Sequence, residues 1–555
     1  MKKILLLFLT LHFSLISSQA QPSWAKKATK AVFTLKTFDQ QGALLGSSCG
    51  FFTGQEGQAV SSFTPFRGAY SAVVIDADGK ELQVECMLGA NDTYDVARFR
   101  VKAKKATSLP IAATAIPPTE VWLLPYRETK SLPQGIIRKA ESFRQGYDYY
   151  TVALHMPEGT VGCPLMNEAG EVIGLMQQPY RQNDTLSYAI CARFADSLSI
   201  NGLSINDPTL RSTHIKKDLP AELNQAILTI YMAQASLDSI AYAQLLDDFI
   251  SRFPNAPDGY TYRAQTATKA LRFDDAAHDM EKAISVAEKK DEAHLNYSKL
   301  IYDKEIYLHD VPYDGWSLDK ALDEARQAER ISPLPVYRHQ QAVILYAQKQ
   351  YSEAYQVYAT ITDSELRSPE LFYEASRCKA ALADTLGQLA LLDSCIAMFS
   401  QPYLKEAAPY LMVRAQLLID MQKYRKAVTD LNHYEKLMQA TVNANFYYLR
   451  FQAEMGGKIY QQALNDIDRA IQMQPSYDLY YAEKASLQVR IGLYAEAMDT
   501  AQECIKVAPD HSDGYLFLGL AQCLKGMKQD GVRNLQKAKE LGDLQADELI
   551  AKYAQ

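Results

Sequence analysis

Beyond its opening stretch the chain has no run of about twenty apolar residues, the length a helix needs to span a bilayer core about 30 Å thick. It also lacks any long block of Lys and Arg. With 58 Lys+Arg against 65 Asp+Glu the net charge is −7, so the basic stripe of a nucleic-acid surface is absent and no nucleic-acid partner is expected. Cysteine is sparse, eight in 555 residues with at least sixteen residues between neighbours, which excludes a CxxC metal or redox pair and a disulfide-dense scaffold. No HExxH, no GxxxxGK[ST] and no GxGxxG opening a helix occurs, so zinc peptidase, P-loop and dinucleotide chemistry are not expected, and neither is any cofactor or metal. Histidine is nearly missing near the start of the chain: between residues 21 and 205 there is one, His155.

What is present divides into three stretches. Lys2 and Lys3 precede an almost unbroken apolar run, Ile4 to Ile16, and small residues follow at Ser18 and Ala20. That order reads as a secretory signal over residues 1–20, cut after Ala20, with no Cys placed for lipid anchoring. The expectation is export, to the periplasm or the exterior, of a mature chain with no transmembrane segment. Residues 21–205 carry short β-rich runs broken by Gly, Asn and Asp, such as "AVFTLKTF" (31–38) and "SAVVIDADG" (71–79), which predicts an all-β domain of many strands. The polar stretch 206–219, with Pro208 near its start and Pro220 just after it, reads as a linker. From residue 220 to the end, apolar positions recur with helical spacing.

The helical region repeats. In "DLYYAEKASLQVRIGLYAEAMDTAQECIKVAPDH" (478–511), Ala485 lies on a first helix, Gly492 and Tyr494 mark a turn, Ala497 and Cys504 lie on a second, and Pro509 closes the unit. Pro475 closes the unit before it, and the same phase returns at Tyr460/Ala463, Tyr424/Ala427, Tyr351/Ala354 and Phe273/Ala276. Small residues recur where two antiparallel helices cross closely, and a closing Pro ends the second helix. This region resembles tetratricopeptide repeats, which implies a superhelical solenoid over 220–555 of about eight or nine helical hairpins. The segment 307–317 is expected to lengthen one turn, and 543–555 to form a solvating cap. The resemblance implies a protein or peptide partner in the solenoid's groove, with Tyr447, Arg450, Tyr481 and Tyr515 as candidate contacts. The oligomeric state is open.

The β-rich region carries a second resemblance. "GALLGSSCGFFTGQEGQAVSSFTPFRGA" (42–69), "DVARFRV" (95–101), "GTVGCPLMNEAGEVIGL" (159–175) and "LSYAICARFADSL" (186–198) are similar in order and spacing to the chymotrypsin-like, and closest to the bacterial trypsin-like, serine proteases. The implied fold is a double β-barrel with the site between barrels. The chemistry of that family needs a hydroxyl nucleophile, an imidazole base and a carboxylate to orient it. Placed one at a time, the base position holds Thr64, the carboxylate position holds Asp95, and the nucleophile position holds Val161. Gly159 and the amide of Val161 fall at the oxyanion-hole positions. His155 falls near the floor of the specificity pocket, so a buried or pocket-lining role is expected for it rather than that of a base. The family fold brings Cys163 near Cys49 and Cys191, so a disulfide from Cys163 to one of these is an expectation, beside that of a nucleophile relocated to Cys163. Two function classes follow: an exported interaction or assembly protein with an inactive protease-like barrel, or, as the alternative, an active trypsin-like peptidase whose repeats recruit substrate.

Overall fold

The computed structural model describes residues 21–127, 129, 131–144, 146–179 and 185–554; the expected signal segment lies outside them. By contact the chain divides into two compact units, with the boundary between Glu288 and Lys289.

The first unit opens with two closed antiparallel barrels of six strands each. Strands β1 (Val32–Phe38), β2 (Leu44–Phe52), β3 (Gln58–Ser61), β4 (Ser71–Ile75), β5 (Glu81–Asn91) and β6 (Val96–Val101) close in the order β1-β2-β3-β6-β5-β4. Strands β7 (Thr119–Leu123), β8 (Gln134–Phe143), β9 (Tyr147–Ala153), β10 (Pro164–Met166), β11 (Val172–Met176) and β12 (Leu186–Cys191) close as β10-β11-β12-β9-β8-β7.

Side-chain alternation places the site. On β1, β2, β3 and β6, adjacent residues point to opposite faces, and both faces are apolar. Phe33, Phe52, Ala59 and Ala97 fill the first barrel, while their neighbours Val32, Phe51, Val60 and Val96 pack into the core of the second with Ile137, Leu165 and Val172. Phe51 and Phe52 are both buried, and each contributes roughly 2–3 kcal/mol by leaving water. These strands therefore fix one barrel against the other, and a cleft runs along their join.

Residues 206–219, read as a linker, are instead strapped to the first barrel. Leu210 and Ile215 insert into its core, and Met87 donates to the Lys216 carbonyl at 2.7 Å while Asp218 donates to the Met87 carbonyl at 2.9 Å. Asp218 also pairs with Arg100 of β6 at 3.1 Å and with Arg252 of the helix Ser239–Arg252 at 2.7 Å. Polar composition suggested a free chain, yet the polar groups here are the ones that tie it down.

Helical hairpins follow. Two belong to the first unit, Leu223–Ala233 with Ser239–Arg252 and Pro257–Lys269 with Phe273–Val286. The second unit holds seven more among the described residues, from Lys290–Tyr307 with Leu318–Ile331 to Ser512–Leu524 with Lys528–Glu540, and a last helix, Ala546–Tyr553. Ala276, Ala354, Ala427, Ala463 and Ala497 are fully buried, as the close crossing of paired helices requires. The expected insertion runs between the first two helices of the second unit, where Trp316 is buried and donates to the Tyr297 hydroxyl at 3.1 Å.

A recurring clamp also holds the hairpins. Arg263, Arg414 and Arg450 each lie on a first helix and grip an aspartate sixteen residues on, Asp279, Asp430 and Asp466, with two bonds of 2.6–2.9 Å. Each guanidinium reaches back as well, to Asp247, Asp393 and Glu435 on the preceding second helix, at 2.7–2.8 Å. Such forked pairs fix the geometry of both partners.

Candidate functional site

A cleft of about 1050 Å³ lies in the first unit. Thr64, Asp95, Gly159 and Val161 all line it, so the four positions singled out by motif spacing converge in space.

Thr64 opens a short turn, Thr64–Phe66, pinned by buried Phe63 and Phe66. Its amide donates to Asp95 Oδ1 at 2.6 Å and its hydroxyl to the same oxygen at 2.8 Å. Asp95, between β5 and β6, sits at a left-handed φ of 49°. The carboxylate thus accepts from the start of a turn, as capping aspartates do.

Val161 lies on the loop between β9 and β10. Thr160 is buried and its hydroxyl donates to the Pro157 carbonyl at 2.6 Å. Gly162 has φ +82°, and a Cβ there would meet the Cys49 carbonyl oxygen at 2.2 Å. Three ties fix the loop: Cys49 donates to the Val161 carbonyl and Gly162 to the Met176 carbonyl, both at 2.9 Å, and a disulfide joins Cys49 to Cys163 across a Cα separation of 5.0 Å. Of the two partners expected for Cys163, the bond is to Cys49; Cys191 on β12 is buried and free. With its sulfur in that bond, Cys163 offers no thiolate, which corrects the reading of a relocated nucleophile. Among the described residues the amides of Gly159 and Val161 have no protein acceptor.

His155 lies on the cleft wall and is exposed rather than buried, and among the described residues its ring bonds to none of Thr64, Asp95 or Val161. Motif reading overlooked Glu158 and the hydroxyl set of Ser47, Ser48 and Ser62 on the same walls. Ser48 and Ser61 hydroxyls lie 2.7 Å apart, and Ser61 donates to the Cys49 carbonyl at 2.5 Å. The serine pairs at 47–48 and 61–62 were the available signal, and their meaning depends on β2 and β3 being neighbours.

Chemically, Thr64 brings to the cleft a hydroxyl that does not titrate near neutral pH, and Val161 an isopropyl group with no lone pair. Among the helical hairpins, a pair of the groove candidates is corrected. Arg450 is buried and saturated by Asp466, Asn432 and Glu435, and Tyr447 is buried with its hydroxyl on Glu435. Tyr481 is half-buried, donating to the Pro475 carbonyl at 3.1 Å, and Tyr515 packs against the last helical cluster.

Fold and sequence agree on the class: the chain joins a trypsin-like peptidase domain to an all-α region with tetratricopeptide-containing relatives. Residues 48–175 match the trypsin-like peptidase domain family, and residues 264–302 and 411–524 match the family described as anaphase-promoting complex subunit 5. Small glutamine-rich tetratricopeptide repeat-containing protein 2 of Saccharomyces cerevisiae is 29% identical over 93 residues, 17% of this chain and 26% of that protein. Its namesake in Mycosarcoma maydis is 30% identical over 87 residues, 16% of this chain and 25% of that one. The chain therefore spans about a quarter of the length of the curated relatives it matches. Among the described residues no helix is long and apolar enough to cross a membrane.

Proposed function

We propose that this is an exported protein-interaction or assembly protein, in which a protease-like barrel that does not cleave peptides is joined to a helical region that takes a protein or peptide partner. The observation that carries the reading is the pairing of Thr64 with Asp95 opposite Val161: the carboxylate that would orient an imidazole instead accepts from a threonine amide and hydroxyl. Losing a triad serine or histidine alone lowers turnover by on the order of 10⁶, and here both are replaced. Gly159 and Val161 line the cleft, and their amides, which have no protein acceptor among the described residues, can hold a peptide carbonyl without any attack on it. Export rests on residues 1–20, and the N-terminus of the exported chain should then be Gln21.

The test is hydrolysis of an unfolded fluorescent protein substrate by residues 21–555, across pH and with and without reductant. The natural chain should be silent. A Thr64→His, Val161→Ser variant run beside it should gain measurable cleavage, which would establish the register. Turnover by the natural chain that disappears on Asp95→Asn would overturn the reading in favour of the active peptidase.

A further inference from the structure

The second unit holds a concavity of about 350 Å³ between the first helices of two successive hairpins, Pro369–Ala381 and Ala408–Asp420. Its walls are aromatic and apolar. Tyr373 and Tyr410 stand edge to face with ring centroids 5.5 Å apart, and Pro409 and Val413 continue the same surface.

Three charged side chains complete the lining, and their surroundings differ. Glu370 lies in the first turn of its helix, where its own backbone amide and then the Tyr410 hydroxyl, at 2.8 Å, donate to it. Those bonds hold its carboxyl below the usual range, so it is anionic at neutral pH. Glu374 is half-buried and shares a 2.6 Å bond with His339 Nε2. Arg377 lines the same concavity, and its guanidinium lies over the Tyr346 ring at 4.7 Å. Two carboxylates and one guanidinium therefore line a tyrosine-walled slot.

We propose that this slot takes the lysine or arginine side chain of an extended segment of a protein partner; the proposal rests on the reading of the helical region as protein-binding. The aliphatic stem of such a side chain lies along the tyrosine rings and its cationic head meets Glu370 and Glu374, a match of shape and of charge. An acidic side chain faces two carboxylates against one guanidinium already over a ring. A purely apolar one takes Glu370 further out of water while adding no hydrogen bond to those from Tyr410 and the helix amide, which costs free energy.

The experiment uses residues 21–555 on an array of random octapeptides whose fixed central residue is Lys, Arg, norleucine, Gln or Glu. Lys and Arg peptides should be retained about fivefold more than the norleucine and Gln sets, with the preference shrinking at high salt. Glu370→Gln should abolish most of that preference and Tyr373→Ala should lower retention of the basic sets, whereas Glu365→Gln, exposed and outside the slot, should change nothing. Thermal melts of each variant establish that it is folded. Equal retention of all five sets, or a preference for Glu, overturns the proposal. A basic preference that survives Glu370→Gln undiminished overturns this slot as its source and leaves the protein-binding reading standing. No retention of any set overturns both.

Discussion

Asp95 takes two hydrogen bonds from Thr64 and holds a left-handed backbone, so its carboxylate is explained by the turn it stabilises. Asp95→Ala should therefore lower the stability of the first unit by about 1–3 kcal/mol in denaturant unfolding; an unchanged midpoint would show that the carboxylate has no structural role. Gly162 is the tightest position of the loop. Gly162→Ala adds a Cβ where the Cys49 carbonyl already sits and where φ is positive, and it should cost about 2 kcal/mol or more or prevent the loop from closing. In the second unit, Glu454 is buried beside Asp466, and the guanidinium of Arg450 is already taken by Asp466, leaving Glu454 at 3.9 Å. Burial first, and then the charge of Asp466, push its carboxyl up to about 8 from an ordinary value of 4.5. A folded-state value above the unfolded one favours the protonated fold. This group's stabilisation is thus complete below about pH 4.5 and is lost as pH rises through about 8. Glu454→Gln keeps the neutral shape, so it should remove that fall and make the second unit more stable at pH 8 by on the order of a few kcal/mol. Parallel stability–pH curves for the two proteins would contradict it.

At the level of the helical hairpin, a single backbone position repeats. Leu271, Lys349, Ala383, Gln422, Lys458, Gly492 and Gly526 all have positive φ, and each stands two residues before the next helix. There the first helix ends in a left-handed residue, and the residue after it donates to the carbonyl five back, as Ile459 does to Glu454 at 2.8 Å and Leu493 to Gln488 at 2.9 Å. Five of the seven carry a side chain where glycine costs less. Lys458→Gly and Ala383→Gly should each stabilise the second unit by up to about 1 kcal/mol, measured as a rise in midpoint without a change in slope. The hairpins were legible in the sequence because buried alanines recur in phase and a closing proline, such as Pro475 or Pro509, ends some of the units. The arginine clamps were not, since Arg450 with Asp466 acquires meaning only once two helices are side by side, and Arg450 alone looked like a groove residue. The same holds for the strap at 206–219: Leu210 and Ile215 are isolated apolar residues in a polar stretch, and nothing local says that the first barrel has room for them. In the barrels, by contrast, glycines and short motifs recur locally along the chain, so Thr64, Asp95 and Val161 could be singled out from spacing, and the three do line one cleft.

Across the whole molecule the cysteines divide the two units. One disulfide, Cys49–Cys163, ties β2 of the first barrel to the loop that precedes β10 of the second, closing 114 residues of chain. The other six are free and buried: Cys86 and Cys191 in the first unit, Cys378, Cys395, Cys504 and Cys523 in the second. Burial pushes the Cys86, Cys395 and Cys504 thiols up to about 12 and Cys378 up to about 11, so they are poor nucleophiles in the fold and do not exchange with the bridge. The bridge therefore acts on one unit only. A loop of that length is worth roughly 4–5 kcal/mol by chain entropy, an upper figure because the unfolded chain keeps some structure. A Cys49→Ser, Cys163→Ser variant should lose much of that from residues 21–288 while leaving 289–555 at its original stability, and reductant on the natural chain should do the same. Hydrogen exchange read by mass spectrometry separates the two, since amides of β2 and β10 should exchange faster while those of the helices Asp478–Arg490 and Ser512–Leu524 should not. Equal acceleration in both units would mean that they unfold as one, and that the cross-link at the cleft supports the helices of the second unit as well as the barrels.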